Sequence, residues 1–149
     1  MGYAVYPQGA GSGGATWTDY TPALTASTSN PTLGTASVTT GHYAESGTLV
    51  HVQVYIKFGT AGVNAGSGDY FVSLPVTAAA LLVANFPVGV WWILDAGTKN
   101  THGIVYLADT TKVGMRFTDT GSAGVDHGMP QAFAANDDLR LSFTYRSAA

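Results

Sequence analysis

Cysteine is absent from this 149-residue sequence, which excludes a disulfide framework, a thiolate nucleophile and any Cys-based zinc site. Charge is scarce as well: 10% of the residues are Asp, Glu, Lys or Arg, against about 25% in an ordinary soluble domain. The solvated surface must therefore be built from Thr, Ser, Gly, Ala and Asn. A net charge of -3 gives little mutual repulsion, so contact with other protein surfaces is easy. The basic residues Lys57, Lys99, Lys112, Arg116, Arg140 and Arg146 are scattered, and without a phosphate-neutralising stripe no nucleic-acid partner is expected.

Long apolar runs are missing too. No basic start followed by an apolar stretch marks a secretory signal at the amino terminus. The nearest approach to a membrane span is Ala78 to Val83 followed by Asn85, Phe86 and the Val88 to Leu94 run. Asn85, Pro87 and Gly89 interrupt it, so two buried segments joined by a turn are expected, with no membrane insertion.

What is present is alternation. From Thr48 to Phe58, Val50, Val52, Val54, Ile56 and Phe58 alternate with His51, Gln53, Tyr55 and Lys57. A period of two puts one set on each face of a strand, whereas a helix would scatter the valines around its circumference. Lys112 to Thr118 and Leu139 to Arg146 repeat the pattern. Further strands are expected over Thr16 to Thr25, Thr35 to Ala44, Asp69 to Leu74, Val88 to Asp95 and Gly103 to Ala108.

Turn formers separate these stretches: Asn30-Pro31, Glu45-Ser46-Gly47, Gly59 to Gly68, Asp95-Ala96-Gly97, Asp109-Thr110-Thr111 and Gly121 to Gly128. The only hint of helix is a turn around Val76 to Leu82. The fold class that follows is all-β, an antiparallel sandwich of about eight strands resembling a jelly roll, over residues 17–149. Residues 1–16 form a Gly-rich amino-terminal arm with an apolar anchor of Tyr3, Val5, Tyr6 and Pro7. That anchor suits docking, on a neighbouring subunit or on its own domain.

The sequence does not assemble the groups that catalysis needs. His42, His51, His102 and His127 fall in no His-x-His, His-Glu-x-x-His or carboxylate-rich calcium pattern. Asp126-His127, in a Gly-rich loop, is the sharpest pair, a base or cation ligand in principle and otherwise an exposed His beside a turn-forming Asp. Gly11-Ser-Gly13-Gly14 and Gly66-Ser-Gly68 lack the Lys-Ser/Thr of a phosphate loop. No enzyme activity, cofactor or metal is expected. Trp17, Tyr20, Tyr43, Tyr55, Tyr70, Trp91, Trp92 and Tyr106 supply core, interface or sugar-stacking surface. Adjacent Trp91 and Trp92 must point to opposite faces of their strand, so at least one indole lies outside the core, where a subunit interface suits it.

The set Trp17-Thr18-Asp19-Tyr20-Thr21-Pro22, Gly41-His42-Tyr43, Gly47-Thr48-Leu49-Val50, Phe58-Gly59 and Ser73-Leu74-Pro75-Val76 resembles a β-rich domain common in virion proteins of tailed phages that infect actinobacteria. Pro130 to Arg146 is similar to the last strand and lead-in of that domain. The resemblance implies a jelly-roll-like homotrimer that closes a longer tail or fibre protein and displays a receptor- or glycan-binding surface. Here only the arm precedes the domain, with no fibre shaft, which favours a small standalone virion protein.

On that resemblance the expected function is capsid decoration, a cement protein on the virion surface that binds the phage major capsid protein as a homotrimer. A receptor- or glycan-binding module of a tail fibre or minor tail protein at the tail tip, with a host cell-surface glycan as partner, is the alternative. The expected interface residues are Tyr3, Val5, Tyr6 and Pro7 in the arm. Trp17, Trp91, Trp92 and His127 are expected at an interface or a glycan-stacking surface.

Overall fold

The computed structural model describes residues 15–96, 99–117, 125 and 132–148. All its regular structure is antiparallel β, as the alternation requires. Its nine strands are β1 (Trp17–Tyr20), β2 (Leu24–Ala26), β3 (Val38–Ser46), β4 (Leu49–Lys57), β5 (Tyr70–Ser73), β6 (Phe86–Leu94), β7 (Asn100–Leu107), β8 (Lys112–Phe117) and β9 (Asp138–Arg146).

The strands form a single hydrogen-bonded sheet in the order β1-β3-β4-β9-β6-β7-β8-β5-β2. Laid flat, eight inter-strand spacings would separate its edges by about 38 Å. Those edges, β1 and β2, are joined only by residues 21–23. The four Cα steps from Tyr20 to Leu24 span at most about 14 Å, so the sheet must curl until its two edges are close. Its concave side holds the core: Val50, Val52 and Ile56 of β4, Trp91 and Ile93 of β6, Val113 and Met115 of β8, and Leu139, Leu141 and Phe143 of β9 are all buried. Phe133 plugs the interior, stacked on Phe58 with ring centroids 4.3 Å apart.

The stretch expected as one strand from Thr16 to Thr25 is thus two, belonging to opposite edges. Pro22 lies at the break, where a missing N–H costs no ladder bond. The Gly59 to Gly68 segment, expected as an open loop, is tied down by bridges Thr35↔Ala61, Thr32↔Asn64 and Ser29↔Ser67. Around Val76 to Leu82 no helix forms; Ala78 instead bridges Ser147. The expectation of two buried segments is also corrected: Ala78 is buried, but Leu82 is 85% and Val83 59% exposed, and in the second segment only one face of β6 is buried, with Val90 60% and Trp92 45% exposed.

Two close approaches pack a ring over a glycine on the inner face. Tyr20 lies flat across Gly41, where any Cβ would collide with its ring. Trp91 covers Gly103 and donates from Nε1–H to the Arg116 carbonyl at 2.9 Å.

Candidate functional site

Cross-strand partners share a face, so the ladders define what the convex outer face presents. One row runs Asp19, His42, Gln53, Ser142, Val90, Ile104, Arg116 across β1, β3, β4, β9, β6, β7 and β8. The next row runs Thr40, Tyr55, Arg140, Trp92, His102. The members of these rows from β3 to β7 line a shallow dish of about 840 Å³ on the outside of the sheet.

The dish has an apolar floor and polar margins. Val90 is 60% and Trp92 45% exposed, although both lie on β6, the central strand of the sheet order. Arg140 lies between two rings, its guanidinium carbon 5.7 Å from the centroid of Tyr55 and 5.6 Å from that of Trp92. At those distances cation–π attraction favours its place beside both rings. Asp138, two residues earlier on β9 and therefore on the same face, fixes its orientation with two hydrogen bonds.

At the opposite margin His42 Nδ1 is 2.7 Å from Asp19 Oδ1. With a carboxylate oxygen as acceptor, Nδ1–H is the donor of this bond. This pair also ties the edge strand β1 to β3. One level along, Trp17, Ala44, His51 and Thr144 form a further outer row. Trp17 meets the His51 ring edge-on at 5.6 Å, and His51 Nδ1 is 2.8 Å from Thr144 Oγ1.

The expected site residues therefore separate. Trp92 is a central element of the dish, and Trp17, 48% exposed, lies one row away. Trp91 points inward and is 1% exposed, so the interface role assigned to it does not apply; it is a core residue. His127 and the arm residues Tyr3, Val5, Tyr6 and Pro7 lie outside the described residues, as does Asp126. Sequence reasoning missed Val90, Ile104, Arg140, His42 and Gln53 as members of one surface. The alternation in β4 and β9 gave the faces of Gln53 and Arg140, but the common level of all five follows only from strand order and register.

Among the described residues no group of three or more His, Asp and Glu side chains converges as a metal site. What the dish offers is recognition: flat aromatic surface, aliphatic contact, one oriented guanidinium and a margin of hydrogen-bonding groups. No family model matches the sequence, and neither a curated protein nor a solved structure is significantly similar to it.

Proposed function

We propose that this protein is a non-enzymatic structural subunit of a phage particle, a decoration protein that binds the capsid shell as a homotrimer and docks through the dish on its outer sheet face. The observation that carries the docking is the exposure of Val90 and Trp92 on the central strand of the sheet, beside an Arg140 that lies near two rings. Trp, Tyr and Arg are the residues in which interface energy concentrates. The sequence resemblance supplies the virion setting and the trimer. A stable contact covers about 800 Å² on each partner, so the dish would form the centre of the footprint, and repetition over a shell multiplies modest single contacts.

The test is co-sedimentation of purified protein with particles stripped of it. A Val90→Lys/Trp92→Ser double variant should stay in the supernatant while its unfolding midpoint changes little, since both side chains are solvent-facing. Undiminished pelleting of that variant would sink the dish as the docking surface. Failure of the unaltered protein to pellet would sink the decoration role.

One observation favours a second reading. Thr40, His42, Gln53, Asn100 and His102 surround the Tyr55 and Trp92 rings, an arrangement suited to stacking and hydrogen-bonding a sugar. A glycan-binding module at a tail tip would bind host cells, be displaced by free cell-wall saccharide, and lose both properties in Trp92→Ala.

A further inference from the structure

On its outer face β6 presents Pro87, Val90, Trp92 and Leu94, a row without a charged or hydroxyl side chain. At its Pro87 end this row runs into a groove of about 500 Å³, whose walls include Leu49, Val88, Thr144 and Arg146. The apolar strip is therefore continuous from the groove to the dish, over about 23 Å of strand.

Cations flank the strip. Across β4, β9, β6 and β7 the charged residues of the outer face are Lys57, Arg140 and Arg146, against one carboxylate, Asp138. That carboxylate is taken by Arg140, and its side chain is only 7% exposed. Neither Lys57 nor Arg146 is ion-paired among the described residues. Lys57 stands opposite Asp138 at the start of β9 and Arg146 closes that strand, so cations stand at both ends of the strip with Arg140 between them. The protein as a whole is acidic, with 9 Asp and Glu against 6 Lys and Arg. A positive margin around its most exposed apolar strand runs against that balance.

We propose that the partner surface docked here is acidic around an apolar centre, and that it covers the groove as well as the dish. This inference rests on the reading of the dish as the contact with the capsid shell, and it names the chemistry of the other side. Carboxylates of the shell protein meet Lys57 and Arg146 at the two ends, while its apolar side chains cover Val90 and Trp92. The division of labour is the usual one for interfaces: the apolar centre supplies buried area, and the charged margin speeds the encounter and fixes its orientation. Because the rest of the molecule is acidic, an acidic partner is repelled everywhere except at this face.

The test measures the affinity of the full chain for stripped particles by co-sedimentation at two salt concentrations. Raising NaCl from about 50 mM to about 500 mM shortens the screening length from roughly 14 Å to roughly 4 Å and should weaken binding about tenfold. At the lower salt, Lys57→Gln/Arg146→Gln should bind about tenfold more weakly with an unchanged unfolding midpoint. Ala23→Glu/Ser29→Glu makes the same change in net charge at exposed sites beside the edge strand β2, and it should bind like the unaltered protein. Pelleting that responds neither to salt nor to Lys57→Gln/Arg146→Gln would overturn the acidic partner while leaving the dish as the docking surface. Equal weakening by both double variants would overturn it too, since net charge and not this face would then be sensed. Undiminished binding of Arg146→Gln alone would overturn the extension to the groove. If the unaltered protein fails to pellet, the capsid reading falls and this inference falls with it.

Discussion

The carboxylate of Asp138 clamps the guanidinium of Arg140, with Nε and Nη2 each donating to one of its oxygens at 3.0 Å. The two ends of this pair have unequal surroundings: the Arg140 side chain is 46% exposed and that of Asp138 only 7%. That inequality decides how the pair responds to mutation.

Removing the acid leaves an arginine that water can solvate, whereas removing the arginine strands a buried carboxylate. Arg140→Ala should therefore destabilise the fold by about 1–3 kcal/mol and Asp138→Ala by less than about 1 kcal/mol. Urea unfolding of both variants checks the order. Asp138→Ala should nevertheless weaken docking at the dish, because Arg140 loses its fixed orientation.

Gly41 and Tyr20 form the second coupled pair. A methyl group at position 41 would meet only Tyr20 ring atoms among its nearest neighbours. Gly41→Ala should cost about 1–3 kcal/mol by overpacking. In a Tyr20→Ala background the same change should be neutral or slightly stabilising, since alanine restricts the unfolded chain more than glycine does. Equal costs in the two backgrounds would show that the ring is not the obstacle.

Trp91 is held by its core packing and by the Nε1–H donated to Arg116. It also meets Phe117 edge-on at 5.6 Å. Trp91→Phe keeps an aromatic ring but removes the Nε1–H donated to that carbonyl and opens space over Gly103. A loss of about 2–3 kcal/mol is expected, against little change for the exposed Trp92→Phe, measured by thermal unfolding of the two variants side by side.

Alkaline pH should unfold the protein through its buried tyrosines. Burial pushes the Tyr145 hydroxyl from 10.0 up to about 12, with the hydrogen bond to the Val76 backbone opposing the shift. Burial likewise raises Tyr20. A pKa raised in the folded state means that the unfolded chain ionises first. Stability should thus be constant with respect to these groups below about pH 10 and fall as pH climbs toward 12. Tyrosinate absorbance should lag behind that of free tyrosine and then rise together with loss of structure. Tyr145→Phe should flatten the pH dependence while lowering stability at neutral pH, since its hydroxyl donates to the Val76 carbonyl at 2.7 Å.

The strands that were legible in the sequence are those with one dry and one wet face. β4 and β9 alternate because each has the core on one side and a more open face on the other, and β8 because Val113, Met115 and Phe117 are buried while Lys112 and Arg116 are only partly covered. β2 was not legible as a strand of its own: three residues carry too little periodicity, and only Pro22 hinted that the chain changes edges there. The ladder of bridges joining residues 29–35 to 61–67 was hidden because its side chains are mostly polar and only partly covered. For the site, Trp92 was legible from the Trp91-Trp92 doublet, since a strand must turn one of two adjacent rings outward. Arg140 was not. It becomes a neighbour of Trp92 only because β9 inserts between β4 and β6, a long-range pairing that no local pattern encodes, whereas Val90 shares the face of Trp92 two residues along the same strand.

That insertion has a consequence for how the protein is made. β4 is complete by Lys57, yet the strand that covers its open edge runs from Asp138 to Arg146. During synthesis at about 5–20 residues per second, the valine-rich edge of β4 and the apolar edge of β6 wait several seconds for a common partner. Half-made chains thus present two sticky edges of the kind that pair between molecules. Ribosome-bound intermediates stalled before residue 138 should need chaperone protection, whereas chains extended past residue 146 should not.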